Sequence, residues 1–225
     1  MADPARARQP LGIFGGTFDP VHFGHLRLAE EAADELALAG IRWIPAGQPA
    51  LRAAPQTTAR QRLAMVQLAT AGNPCFAVDA AEVAAARPSY TVETLERLRS
   101  TDSCGAQRPL VLLLGADAFA GLPGWHRWQS LFDLAHLGIA HRPGHPLDLA
   151  RLAPALAEQC RARRRDSRTA LAESPAGCIV TFAMTQLAIS ASRIRALLTS
   201  GSSVRYLLPD EVIAYIRHHH LYPEC

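Results

Sequence analysis

The sequence predicts an α/β fold: a Rossmann-like, doubly wound parallel sheet with helices on both faces and further helices near the C-terminus. Two observations lead to this prediction. Short apolar runs alternate with amphipathic stretches along the chain, as they do where helices connect parallel strands. Glycine-rich and polar segments follow directly after apolar runs, and ligands of such sheets bind beyond the carboxyl ends of the strands. A binding site is therefore expected at that edge of the sheet.

The predicted strands are short apolar runs that end at glycine, proline or a polar segment. The clearest is the run at 109–114, in which leucine and valine residues follow one another up to Gly115. The strands are predicted at residues 11–14, 41–44, 76–78, 109–114, 137–140 and 179–182.

The predicted helices are stretches in which apolar residues recur at helical spacing. The first continues until Gly40, which is a helix-ending residue. Thr58 and Gln61 form the capping-box pattern at the start of the second. Residues 45–57 contain three prolines and are predicted to be a loop. The helices are predicted at residues 24–39, 58–71, 91–100, 190–200 and 209–219.

The length of 225 residues suits one domain, and no repeat or linker divides the chain. Residues 1–225 are therefore predicted to form a single domain, with 1–10 disordered. The chain contains no run of about 18 apolar residues, so no membrane span is predicted. No apolar segment typical of a signal peptide follows the N-terminal arginines. The five cysteines are scattered, which predicts reduced thiols and a cytoplasmic protein rather than a disulfide framework.

All 23 basic residues are arginine, so any phosphate site must use guanidinium groups, histidines and backbone amides. The cluster at 161–168 has two interpretations: a nucleic-acid surface or a solvated helix face. The second is favoured because no aromatic residue is interleaved and the net charge is only +3. No nucleic-acid partner is therefore predicted. The histidines at 218–220 are interpreted as cations at a helix C-terminus.

Residues 15–25 read Gly-Gly-Thr-Phe-Asp-Pro-Val-His-Phe-Gly-His and join a predicted strand to a helix. Glycines let the backbone approach a phosphate, and a helix N-terminus offers free N–H groups. His22 and His25 lie three residues apart, so their rings face the same space, where they can stabilise charge on a phosphate under attack. Zinc binding is the alternative, but no third ligand lies nearby, and no protein metal site is predicted.

Residues 189–195 read Ile-Ser-Ala-Ser-Arg-Ile-Arg. Ser190 is a favourable N-cap, which places Ser192 and Arg195 in the first turns of a helix. A helix N-terminus with hydroxyl groups and an arginine is a second candidate anion site. By itself this pattern is common on ordinary helices, and it gains meaning from its pairing with residues 15–25.

The first segment resembles the signature of the H-x-G-H nucleotidylyltransferase superfamily, and its Phe-Asp-Pro-Val-His spelling resembles the bacterial nicotinate-nucleotide adenylyltransferases. The second is similar to the superfamily element that holds the triphosphate, with Ala191 where a hydroxyl is common. Residues 88–91 (Pro-Ser-Tyr-Thr), 115–117 and 124–128 resemble the segments that build the acceptor pocket in this family. The resemblance covers about residues 11–222.

The resemblance implies transfer of AMP from ATP to nicotinate mononucleotide, giving nicotinate adenine dinucleotide and pyrophosphate in NAD biosynthesis, with Mg²⁺ carried by the ATP phosphates. The implied catalytic residues are His22, His25 and Arg195. The implied ATP and phosphate ligands are Gly15, Gly16, Thr17, Phe18, Gly24, Arg52, Ser190 and Ser192. The implied acceptor ligands are Ser89, Tyr90, Thr91, Asp117, Trp125, His126 and Arg142.

Within the implied acceptor pocket, Trp125 stacks on the pyridine ring, and backbone N–H groups near Thr91 and His126 hold the nicotinate carboxylate. Asp117 binds a ribose hydroxyl, and Arg142 is a phosphate ligand. The sequence departs from the family in the loop after the second strand, where the family often has P-x-H-[KR]. Leu51 replaces that histidine here, which leaves Arg52 to supply the charge.

Several alternatives remain open. The acceptor could be nicotinamide mononucleotide or another phosphate, as in the phosphopantetheine adenylyltransferases, and cytidylyltransferases share H-x-G-H but use CTP. From another class, the chain could be a non-catalytic nucleotide-binding or RNA-binding protein. The Pro-Ser-Tyr-Thr and Gly-Trp segments favour a pyridine, and the intact His22, Gly24 and His25 argue against a silent binder. The oligomeric state is open, with a homo-oligomer among the options.

Overall fold

The computed structural model describes residues 9–50, 54–85, 87–100 and 107–223. Its strands are β1 (Leu11–Gly16), β2 (Ile41–Pro45), β3 (Gln48–Pro49), β4 (Phe76–Val78), β5 (Pro88–Ser89), β6 (Leu110–Gly115), β7 (His136–His141) and β8 (Ile179–Ala183). Six of them form one parallel sheet in the order β4-β2-β1-β6-β7-β8, while β3 and β5 pair separately. This is the predicted α/β fold.

The α-helices are α1 (Phe23–Glu35), α2 (Ala59–Thr70), α3 (Ala81–Ala84), α4 (Thr91–Ser100), α5 (Ala116–Ala120), α6 (Leu131–Leu134), α7 (Pro154–Arg163), α8 (Ala191–Thr199) and α9 (Asp210–His218). Short 3₁₀ turns lie at Leu122–Gly124, Trp128–Ser130, Leu149–Arg151 and Arg168–Ala172. No helix within the described ranges is both long and apolar enough to cross a membrane.

The predicted elements are present, with differences at their ends. The first helix was predicted to reach residue 39 but ends at Glu35. Beyond it, Ala37 takes a left-handed backbone with φ 50, and the Leu38 N–H donates to the Ala33 carbonyl at 3.0 Å, which closes the helix early. The loop at 45–57 contains β3, and α7 occupies a part of the chain where no element was predicted.

Alternate residues of the central strands pack into two separate apolar clusters. In β6, Val111 and Leu113 belong to one cluster, whereas Leu112 and Leu114 belong to the other. This alternation means that both faces of the sheet are covered, as a doubly wound fold requires. The first cluster also includes residues of α9 and Tyr222, so the C-terminal segment packs against the same core as β1.

The strand order changes direction between β1 and β6, which are hydrogen-bonded neighbours. From β1 the chain moves outward through β2 to β4, and it later returns to build β6, β7 and β8 on the other side. A crevice forms beyond the carboxyl ends of strands at such a switch point. Here it opens beyond Gly16 of β1 and Gly115 of β6.

Candidate active site

The loop from Gly16 to His22 connects β1 to α1 at the switch point. Its Phe18 has φ 51 and only 3% exposure, so this ring lies in the core beneath the loop. A Cβ on Gly16 would come within 2.8 Å of the Phe18 ring, whereas at Gly15 the nearest atom, the Ile44 carbonyl oxygen, is 4.0 Å away. Gly16 is therefore required by packing, while Gly15 leaves open space. The Phe18 side chain belongs to the core, so any contact of this residue with a ligand would come from its backbone.

The two histidines at the start of α1 are stacked on each other. Their ring centroids are 3.7 Å apart, with 26° between the planes. The backbone N–H of His22 donates to Nδ1 of His25 at 3.3 Å, which leaves Nε2 of His25 to carry that ring's proton when it is neutral. Burial lowers the pKa of His22 to about 4, so its ring is neutral at pH 7.

Gly24 lies between these histidines, and its missing side chain has a direct consequence. A Cβ at this position would stand 3.0 Å from Cε1 and Nδ1 of His22, tighter than ordinary contact, and 3.7 Å from the Ile189 carbonyl oxygen. The glycine thus allows the His22 ring to fold back over the helix start. It also allows the segment at 189–195 to approach.

The segment at 189–195 lies against the segment at 15–25, although more than 160 residues separate them in the sequence. Ser190 caps α8 by accepting a hydrogen bond from the Arg193 N–H at 3.3 Å. Nη1 of Arg195 donates to the Asp19 carbonyl at 2.7 Å, and Nη2 donates to the Ser192 hydroxyl at 3.4 Å. The structure therefore brings the two predicted anion-binding segments together at the switch point.

Arg62 of α2, which is not among the predicted site residues, supports the loop between β1 and α1. Its side chain is 1% exposed, and it donates to the Thr17 carbonyl at 2.7 Å and to the Gly47 carbonyl at 2.8 Å. Burial lowers the pKa of this guanidinium, while the nearby Asp19 opposes that shift. In the sequence, Arg62 stands three residues before Met65 and four before Val66, which are both buried. This helical spacing places Arg62 on the buried face of α2 and could have indicated its role.

The predicted acceptor residues occupy the ends of several elements on the same edge. Thr91 opens α4, Asp117 is exposed in α5, and Arg142 is exposed directly after β7. The rings of Tyr90 and His126 contact each other with centroids 4.7 Å apart, which joins the segments around Thr91 and Trp125. Trp125 itself is partly buried against the second core cluster. Arg52 lies outside the described residues.

A partly buried carboxyl group, which is not among the predicted site residues, lies behind the acceptor segment. Glu82 of α3 accepts a hydrogen bond from the hydroxyl of Thr94, and burial raises the pKa of this carboxyl, against the opposing effect of bonds from Thr94 and Ser89. The Ser89 hydroxyl in turn accepts from the Gly47 N–H at 3.0 Å. These bonds hold β5 against β3 and so fix the chain that leads into Thr91.

The arginine cluster at 161–168 is largely engaged within the protein. Arg163 lies over the Phe132 ring, 4.9 Å from its centroid. Arg165 donates to the Arg164 carbonyl at 2.8 Å. Arg168 donates to the Asp34 carbonyl at 2.9 Å and thereby caps the C-terminus of α1. Nowhere in the described part of the chain do three metal-ligating side chains gather into a group that could hold an ion.

The site has three main features: stacked histidines at a helix N-terminus, open backbone at Gly15, and an arginine bonded to the connecting loop. They lie at the switch point of a doubly wound sheet, where such folds bind ligands. A family model described as cytidylyltransferase-like matches residues 13–197. This agrees with the predicted superfamily and enzyme class.

The chain is 60% identical over 214 residues to a protein of Dechloromonas aromatica (strain RCB) named "Probable nicotinate-nucleotide adenylyltransferase", with 95% of this chain and 98% of that one covered. A protein of Acidithiobacillus ferrooxidans with the same name is 47% identical over 215 residues, covering 94% and 95%. The chain therefore belongs to the nicotinate-nucleotide adenylyltransferases of the cytidylyltransferase-like family. It is a nucleotidyltransferase, as predicted.

Solved structures support the fold. The nicotinic acid mononucleotide adenylyltransferase of Plasmodium falciparum, complexed with NaAD, aligns with a TM-score of 0.69 at 14% identity, covering 95% of this chain and 97% of that one. At this identity the likeness establishes the architecture alone.

Proposed function

We propose that this protein transfers AMP from ATP to nicotinate mononucleotide, releasing pyrophosphate and forming nicotinate adenine dinucleotide. The observation that carries the proposal is the stacked pair of His22 and His25 at the end of the loop to which Arg195 is hydrogen-bonded, at the crevice where the strand order changes. Cationic and N–H groups that converge on open backbone suit a phosphate that gains charge during attack.

In the proposed reaction, a 5′-phosphate oxygen of the acceptor attacks the α-phosphorus of ATP. The new P–O bond forms while the bond to the β-phosphate bridging oxygen breaks, and pyrophosphate departs with its electron pair. No protein nucleophile is needed, because the acceptor oxygen is already negatively charged. The protein positions the phosphates and stabilises their charge.

We assign the charge stabilisation to the two histidines and Arg195. The neutral His22 ring donates one N–H, and His25 donates from Nε2, since its Nδ1 is held by the His22 backbone. Backbone groups of Gly15, Gly16 and Thr17 line the triphosphate, and the helix start at Ser190 and Ser192 faces its far end. Mg²⁺ enters as part of the Mg·ATP substrate and is held by the phosphate oxygens.

We assign the acceptor to the space between α4 and the Trp125 segment. Trp125 stacks on the pyridine ring, and the N–H groups near Thr91 and His126 bind the nicotinate carboxylate. The contact between Tyr90 and His126 supports this assignment, because it holds the two backbone segments side by side. A carboxamide would present its NH₂ to these donors and lose hydrogen bonds, so the acid is favoured.

Asp117 and Arg142 complete the proposed acceptor site, the first at a ribose hydroxyl and the second at the phosphate. Both are exposed at the carboxyl edge of the sheet, after β6 and β7 respectively. We further propose that residues 1–225 form one domain acting in the cytoplasm without a nucleic-acid partner. The shared core of β1 and Tyr222, the free thiols of Cys75, Cys160 and Cys178, and the engaged arginines support these points.

The experiment that tests the proposal is pyrophosphate release from ATP and Mg²⁺ with three acceptors compared side by side. Strong release with nicotinate mononucleotide, and weak release with nicotinamide mononucleotide and phosphopantetheine, is the expected result. Preferential release with another acceptor would overturn the acceptor assignment and keep the nucleotidyl-transfer chemistry. Absence of release with every acceptor would favour the non-catalytic alternative, and RNA filter binding across salt concentrations would then test for a nucleic-acid partner.

A further inference from the structure

The carboxylate of Asp19 lies at the centre of a buried hydrogen-bond network. It is 5% exposed and accepts three hydrogen bonds. The Gln56 N–H donates to one oxygen at 2.8 Å, while the hydroxyls of Thr57 and Tyr222 both donate to the other at 2.6 Å. A carboxylate with several donors is held in one orientation. Asp19 is thus fixed by two segments that are distant in sequence.

The same residue is held through its backbone. The Asp19 carbonyl accepts the 2.7 Å hydrogen bond from Arg195, while Arg62 holds the carbonyl of Thr17 two residues earlier. Three residues after Asp19 the chain reaches His22. Asp19 is therefore where the catalytic loop meets the segment at 56–57, the start of α8 and the C-terminal end of the described chain.

Tyr222 reaches Asp19 from near the C-terminus, with its backbone in an unfavourable conformation. Its ring is buried in the same cluster as Phe14 and Val212, with 5% exposure. Its backbone has φ 54, in the left-handed region that bulky residues seldom occupy. Burial, reinforced by the adjacent Asp19, raises the pKa of this phenol, so the hydroxyl stays protonated and donates.

We infer that Tyr222 is a positioning residue for the proposed nucleotidyl transfer: its hydroxyl orients the Asp19 carboxylate, and through Asp19 it sets the relative placement of His22 and Arg195. The hydrogen bond that the Tyr222 hydroxyl donates goes to the Asp19 carboxylate. Tyr222 acts through Asp19, whose carboxylate anchors the loop and whose backbone carbonyl accepts the hydrogen bond from Arg195. The inference rests on the proposed function of the site.

The hydroxyl can be separated from the ring. Packing in the core depends on the aromatic ring, which phenylalanine retains, whereas the bond to Asp19 depends on the oxygen alone. Without that oxygen the carboxylate keeps Gln56 and Thr57, and so it stays bound but loses its third anchor. A small displacement of the reacting groups lowers turnover strongly, while ground-state binding of the substrates is less affected.

The test is steady-state pyrophosphate release by Tyr222→Phe, with Tyr215→Phe as the matched control on α9. Tyr215 is partly exposed and its ring contacts His219, so the control removes a hydroxyl away from Asp19. We expect Tyr222→Phe to lower kcat by on the order of tenfold with the KM values for ATP and acceptor nearly unchanged. The control should keep wild-type kcat. Wild-type kcat in Tyr222→Phe would overturn the inference.

A coupled variant shows whether the effect passes through Asp19. In an Asp19→Ala background, adding Tyr222→Phe should lower kcat no further, because the side-chain acceptor on which the hydroxyl acts is gone. Independent, multiplicative losses would contradict the inference. Should Asp19→Ala fail to fold, hydrogen exchange of the Gln56 amide in Tyr222→Phe decides, since that N–H is bound to the same carboxylate.

Amide exchange also separates this inference from the proposed function. Faster exchange at Gln56 in Tyr222→Phe, together with reduced kcat, is the expected result. Unchanged exchange at Gln56 in Tyr222→Phe would overturn the positioning role. This outcome does not depend on whether the wild-type protein releases pyrophosphate with nicotinate mononucleotide. If the wild-type protein is inactive with nicotinate mononucleotide, the proposed function is overturned and the positioning role is not. The kcat values of wild type and Tyr222→Phe would then be compared with the acceptor that does release pyrophosphate. Faster exchange with unchanged turnover would overturn the positioning role.

Discussion

The imidazole rings of His22 and His25 lie face to face with their centroids 3.7 Å apart, so they cannot both carry a positive charge at little cost. The arrangement agrees with the low pKa of about 4 for the buried His22. In the proposed reaction, His22 is therefore a neutral hydrogen-bond donor. The two histidines of the motif differ in environment, with His22 buried and His25 partly exposed, although their spacing alone makes them appear equivalent.

His25→Ala should lower turnover by about 10²–10³-fold, because one donor to the phosphate under attack is removed. The acceptor KM should change much less, since this donor acts mainly in the transition state. Steady-state pyrophosphate release gives both constants. His218→Ala, at the exposed end of α9, is the matched control and should behave as wild type. Near-native turnover in His25→Ala would contradict the role assigned to this ring.

Acid should destabilise the folded protein in a range set by His22. Its folded pKa is about 4 against an ordinary value of 6.5, so below pH 6.5 the unfolded chain binds the proton more readily than the folded one. The stability that the neutral ring contributes is fully present above pH 6.5, is lost as the pH falls, and levels off below about 4. A shift of this size corresponds to roughly 3 kcal/mol.

Urea unfolding of wild type and His22→Gln between pH 4 and 7 measures this contribution. Burial also lowers the pKa of His136, but that residue is present in both proteins, so its effect cancels in the comparison. The free energy of unfolding should decline less steeply in His22→Gln as the pH falls. Parallel curves for the two proteins would show that His22 is not buried in its neutral form.

Trp125→Ala should raise the acceptor KM while kcat changes little, because stacking on a base is worth roughly 1–3 kcal/mol and acts on binding. Trp128→Ala is the matched control in the same segment. The Trp128 ring packs edge-on against Phe132, with centroids 6.1 Å apart, so its loss should lower Tm without raising the acceptor KM. An unchanged KM in Trp125→Ala would exclude the stacking assignment.

Arg62→Met should destabilise the protein by on the order of 3 kcal/mol, since two buried carbonyls, those of Thr17 and Gly47, would lose a charged donor. Turnover should fall as well, because Thr17 belongs to the loop that is proposed to face the phosphates. Arg60→Met, on the exposed side of the same helix, controls for the change in charge and should leave Tm and kcat near wild type. Thermal unfolding and pyrophosphate release on the same samples would show whether the two losses occur together.

The sequence by itself determined the class of fold, the positions of the main strands and the two segments that meet at the switch point. These features are local: apolar runs specify strands, glycines and caps specify turns, and the spacing of His22 and His25 places both rings on one side of a helix start. The helices at 91–100 and 209–219 followed from the same periodicity and agree with α4 and α9 to within a residue.

Only the tertiary structure decided how the segments support one another. Arg62 appears in the sequence as one more helical arginine, yet it is buried and holds two separate loops. Tyr222 looks like an apolar residue near the chain end, yet its hydroxyl bonds Asp19 across 203 positions. Such partners depend on which elements pack together, and periodicity carries no information about contacts between residues so far apart. The chemistry of this site was thus visible in local patterns, whereas its rigidity comes from long-range packing.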